Sequence, residues 1–145
     1  MNKVYDDYLD KIKNSIISSI YAKGVITPAE VKIAISQDYA ELLSLAKELE
    51  NDDIISIDNT EIGYVYTLTK KGVFKYLYDN DQATIKKCFD LFNEYEINPY
   101  HVELFLFDEF YSLYINRKKI DFDTIIDEFS DYAISRGLLK HRLKK

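Results

Sequence analysis

The chain has 145 residues, a length that suits one domain or one domain with a helical extension, and 47% of them are apolar, enough for a real core. Its net charge of −6 argues against general nucleic-acid affinity, which needs a basic footprint. The single cysteine, Cys88, excludes an intramolecular disulfide and fits a reducing interior. With no basic-then-apolar leader and no apolar run of membrane-spanning length, the expected location is the cytoplasm.

Residues 3 to 23 are predicted to form one long helix. Tyr5, Tyr8, Leu9, Ile12, Ile16 and Ile20 fall at helical spacing, Lys11, Lys13 and Asn14 take the other face, and Gly24 is a natural stop. Thr27 then caps a short helix, with Pro28 in its first turn and Glu30 at the capping-box spacing. Val31, Ile33, Ala34 and Ile35 are expected to supply its apolar side. Asp38 is a second predicted cap, followed by Leu42, Leu45, Ala46 and Leu49 at i, i+3, i+4 and i+7, one helical stripe. Asn51-Asp52-Asp53 breaks that period. Ile54, Ile55 and Ile57 read as a strand, Asp58-Asn59-Thr60-Glu61 as a turn, and Ile62 to Leu68 alternates around aromatics. A hairpin is therefore predicted, with strands at 54–57 and 62–68. Thr69 caps a further helix through about Tyr78.

A polar break, Asp79-Asn80-Asp81, precedes a predicted helix over 82–96 with Ile85, Cys88, Phe89 and Phe92 on one face. Asn98-Pro99 ends it and opens the next. In residues 100–115 apolar side chains nearly encircle the helix, which should be buried on more than one side. Phe105, Phe107, Phe110, Tyr111 and Tyr114 are its candidates for a dimer or partner surface. Asn116 to Lys119 is a basic turn. Asp121 or Asp123 caps a last helix carrying Ile125, Ile126, Phe129 and Ala133, and Gly137 separates it from a basic tail, Leu138 to Lys145. The fold class expected from these elements is mainly α with one small antiparallel β-hairpin.

Three segments carry a family resemblance. They are Thr27-Pro28-Ala29-Glu30-Val31, the run Leu49-Glu50-Asn51-Asp52-Asp53-Ile54-Ile55, and Tyr66-Thr67-Leu68-Thr69-Lys70-Lys71-Gly72. Together they resemble a winged helix-turn-helix domain of the MarR and PadR kinds over residues 1–80, leaving 81–145 as a helical extension for dimerisation or partner binding. The resemblance implies a DNA-binding transcription regulator in which the first helix can also serve a dimer interface, and the all-round apolar helix over 100–115 leads to the expectation of a homodimer.

The resemblance makes the helix from about Asp38 to Asn51 the recognition helix. Its outward positions are Asp38, Glu41, Leu43, Ser44, Lys47 and Glu48, three acids against one lysine, and the wing tip Asp58, Asn59, Thr60, Glu61 has no positive charge. Base readers and phosphate contacts are mostly basic or amide side chains, so this face departs from a DNA-binding pattern. A candidate basic patch is scattered over Lys70, Lys71, Lys75, Lys140, Arg142 and Lys144, each cluster of which reads by itself as a solvated face or a fraying tail. Two functions compete: a regulator working through an acidic protein-binding face on a protein partner such as nucleic-acid machinery, and a DNA-binding homodimer on double-stranded DNA. His101, His141 and Cys88 do not form a metal-ligand spacing, no phosphate loop or nucleophile arrangement is present, and neither an enzyme, a cofactor nor a membrane partner is expected.

Overall fold

An apolar stripe and a glycine define the first element. In α1 (Lys3–Lys23), Ile12, Ile16 and Ile20 are at most 5% exposed, and Gly24, at φ 87°, closes the helix with its N–H on the Ile20 carbonyl. The computed structural model describes residues 3–35 and 38–144 and falls into two units, residues 1–76 and 77–145.

In the first unit, α2 (Pro28–Ile35) begins with a reciprocal capping box. The Thr27 N–H donates to Glu30 Oε1, and the Glu30 N–H donates to Thr27 Oγ1, each at 3.2 Å. Its apolar side is narrower than expected: Val31 is buried, whereas Ile33 is 79% exposed and Ala34 is exposed. Residues 33 to 35 are consecutive and so cannot share one face of a two-turn helix. In α3 (Tyr39–Asn51) the Asp38 carboxylate accepts from the Glu41 N–H, and Leu42, Leu45, Ala46 and Leu49 are all buried. Asp53 takes a left-handed conformation, φ 63°, and the Ile54 N–H returns to the Leu49 carbonyl, turning the chain into the hairpin.

β1 (Ile55–Thr60) pairs antiparallel with β2 (Gly63–Leu68), from Ile55 opposite Leu68 to Thr60 opposite Gly63. The turn is Glu61-Ile62, so Asp58, Asn59 and Thr60, expected in the turn, are paired strand residues. Their polarity signals a loop by composition, yet this half of β1 is solvent-exposed and needs no apolar side chains to hold its ladder. Before α2, Ile26 exchanges backbone hydrogen bonds with Tyr66, fastening that segment to the hairpin.

α4 (Lys70–Asn80) is capped by Thr69, whose hydroxyl accepts from the Gly72 N–H at 3.0 Å and donates to the Asp53 carbonyl at 2.6 Å. A Cβ at Gly72 would collide with the Ile54 carbonyl oxygen, so only glycine admits this approach of helix to strand. The order α1, α2–α3, hairpin, α4 is a winged helix.

The second unit holds α5 (Gln82–Glu94), α6 (Pro99–Ile115) and α7 (Phe122–Ser135). Asn98 caps α6 and Asp121, rather than Asp123, caps α7, each through a carbonyl or carboxylate oxygen accepting a first-turn N–H. Phe129 of α7 sits between Phe92 of α5 and Phe105 of α6, at ring centroid distances of 4.4 and 5.1 Å. Phe105 and Phe110 are 7% and 0% exposed, which removes them from the dimer surface assigned to them by sequence: both are consumed by burial within the chain. Phe107, Tyr111 and Tyr114 are half-buried, and Tyr100, Leu104 and Ile115 are exposed. The tail is pinned instead of fraying. The Leu143 N–H donates to the buried Ser130 hydroxyl, the Lys144 N–H donates to the Tyr95 hydroxyl, and Arg142 pairs with Asp131 and Asp127. Lys145 lies outside the described residues.

Candidate interaction face

The side of α3 away from the core divides into two. Tyr39, Leu43, Lys47 and Glu50 follow i, i+4, i+8 and i+11 and face the hairpin, whose Ile57, Tyr64 and Tyr66 complete a cleft of about 500 Å³ with Pro28 at its edge. Ile57 and Tyr66 are cross-strand partners, so they emerge on one face of the sheet. Lys47 Nζ is 2.6 Å from Glu50 Oε1 across this cleft wall. Burial pushes the Tyr66 hydroxyl above its ordinary range, with smaller contributions from Tyr39 and Glu50.

Glu48 turns instead toward α1, 3.7 Å from Lys13 Nζ. Of the outward positions read from sequence, Leu43, Ser44, Lys47 and Glu48 are exposed, Glu41 is half-buried, and Asp38 is exposed but committed to its cap. Residues 38–50 hold four acids, Asp38, Glu41, Glu48 and Glu50, against Lys47, a formal charge of −3. The hairpin, residues 55–68, adds Asp58 and Glu61 with no lysine or arginine, −2. Ile62 in the wing turn is 79% exposed, an apolar tip where a minor-groove reader carries a cation.

The basic residues lie elsewhere. Lys71 Nζ donates to the Asp52 carbonyl at the C-terminal end of α3, and Lys71 and Lys75 share a second, charged depression with Asp10, Lys13 and Asp52. Lys70 heads α4 in the same unit and is exposed. Lys140, Arg142 and Lys144 belong to the second unit, and Arg142 is neutralised by two aspartates. Lys71 and Lys75 therefore sit beside the C-terminal end of α3, and neither is among the residues that line the cleft.

The cleft residues Tyr39, Glu50, Ile57, Tyr64 and Tyr66 are not among the site residues that the sequence singles out. Their signal is present as a second α3 stripe offset from the core stripe and as the period-2 tyrosines of β2. Among the described residues, no group of three or more His, Cys, Asp or Glu could hold a metal ion, and no helix is long and apolar enough to cross a membrane. Cys88 is fully buried, and burial pushes its thiol up to about 12.

Solved structures similar to the chain include transcriptional regulators. The reduced form of MarR from E. coli matches at 22% identity with a TM-score of 0.44, over 50% of this chain and 59% of that one. That match thus spans less than two thirds of the neighbouring chain's length. The transcriptional regulator Tm0710 from Thermotoga maritima matches at 17% identity and a TM-score of 0.45, over 81% of this chain and 84% of that one. A cysteine-to-serine mutant of MarR from E. coli matches at 15% identity and a TM-score of 0.43, over 95% of this chain and 88% of that one. No family model and no curated protein matches the sequence.

Proposed function

We propose that this chain is a winged-helix transcription regulator that acts through its α3–wing face on a protein partner. The helix-turn-helix with a protruding hairpin is a scaffold that transcription control uses, and this supports the general class. The finer reading is carried by one observation, the sign of charge: −3 on residues 38–50 and −2 on the hairpin, with the face's lysine held by Glu50. Carboxylates brought against phosphates repel, and no counterion release offsets that cost. A basic protein surface, such as one that itself handles nucleic acid, meets the same charge favourably.

The second reading is a DNA-binding homodimer, favoured by the winged-helix geometry and by Lys71 and Lys75 beside the C-terminal end of α3. Self-association is part of our proposal in either case, through α6, whose Tyr100, Leu104 and Ile115 are 63%, 43% and 57% exposed.

Charge removal separates the readings. If phosphate faces α3 and the wing, Glu41→Ala and Glu50→Ala tighten binding to a mixed-sequence duplex, since each removes a repelling carboxylate. On our reading neither variant gains duplex affinity at physiological salt, and a tightened duplex complex would favour DNA.

A further inference from the structure

The cleft between α3 and the hairpin has a more specific chemistry than its surrounding charge. Tyr39 and Tyr64 are 42% and 58% exposed, Tyr66 forms the inner wall, and Leu43 adds an exposed aliphatic edge. Glu50 is the carboxylate of the lining, with its side chain 29% exposed. Lys47 reaches it with a side chain that is 67% exposed, an ion pair open to solvent.

We propose that this cleft receives the side chain of an arginine carried on a basic segment of a partner protein. The inference rests on the protein-partner reading above and names the group that is bound. A guanidinium is planar and weakly hydrated, stacks on tyrosine faces, and pairs with a carboxylate through two parallel N–H donors. Tyrosine rings beside Glu50 offer both halves of that recognition within one cleft. Lys47 holds the carboxylate in the unbound chain. It can leave at small cost, because an exposed pair between flexible side chains contributes little. The surrounding charge, −3 on residues 38–50 and −2 on the hairpin, draws in a basic segment and repels a nucleotide, whose base could stack on the same rings but whose phosphate could not approach.

The test is an NMR titration of the full chain with a short acetylated peptide of alternating arginine, glycine and leucine, beside its counterpart with lysine at each arginine. The expected result is saturable shifts of the Tyr39 and Tyr64 ring signals. The lysine peptide should bind about three-fold more weakly or worse, as should the arginine peptide to Tyr64→Ala and to Glu50→Gln. Tyr64→Phe keeps the ring face and should restore binding, which separates stacking from loss of fold. Equal affinity for the two peptides, undiminished binding by Tyr64→Ala, or shifts spread evenly over the acidic surface would each overturn the arginine cleft. A duplex probe run in parallel distinguishes the two levels. Shifts on α3 with duplex would overturn the protein-partner reading as well, whereas failure of the peptide without duplex binding would overturn the cleft alone.

Discussion

At the scale of single residues, the fold depends on positions where one atom decides. Gly72 is the sharpest, because an added Cβ meets the Ile54 backbone oxygen, which cannot rotate away. Gly72→Ala is expected to cost about 3 kcal/mol, the upper end for overpacking, read as a lower urea midpoint at unchanged slope. Glu109 gives a pH signature. Burial first and Glu128 second raise its pKa above the ordinary glutamate value. The folded state therefore binds its proton more tightly than the unfolded state. The stability this gives is complete below the unfolded pKa and is lost as pH rises through the folded one. Glu109→Gln should accordingly raise the thermal midpoint at neutral pH and have no stabilising effect in acid, measured by melts across that range. Cys88, with its thiol pushed up to about 12 and no exposure, should resist thiol reagents at mild alkaline pH until urea opens the second unit. Rapid labelling of the native chain would contradict its placement.

At the scale of elements, helices are legible wherever a cap and a stripe agree. Thr27 with Glu30, Asp38 with the Leu42–Leu49 stripe, and Thr69 before α4 all occupy the roles their spacing assigns. The wing turn is not legible, because Asp58, Asn59 and Thr60 have loop composition while their backbone groups pair with β2. Nor is the fate of the aromatic α6, since sequence shows that a helix is apolar all round without showing which neighbour covers each side. Phe105 and Phe110 thus prove to be core. The interaction cleft is half legible. Its charge can be counted, but its tyrosines come from two elements that meet only after folding. The pinned tail supplies a test at this scale. Ser130→Ala leaves the buried Leu143 N–H without its acceptor and should cost about 1–3 kcal/mol. An unchanged midpoint would mean that the tail is not docked there.

At the scale of the whole molecule, two quantities can be tested: association and charge. The exposed Tyr100, Leu104 and Ile115 on α6 lead us to expect sedimentation at twice the 17.1 kDa chain mass at micromolar concentration, shifting toward the single-chain mass in Leu104→Asp. A native chain that sediments only as one copy would contradict that expectation. The central claim is that the α3–wing face meets protein and not phosphate. The measurement that tests it most directly is a titration of the intact chain against mixed-sequence duplex DNA at low and physiological salt, with a Lys140→Ala, Lys144→Ala variant beside it that removes tail charge and leaves the docked Leu143 in place. Phosphate contacts reveal themselves by a slope of about −0.9 in log affinity against log salt for each phosphate neutralised. The account predicts no duplex complex even at low salt, where the screening length exceeds about 10 Å and any basic patch would be most effective. Tight, salt-sensitive duplex binding that persists in that variant would contradict it.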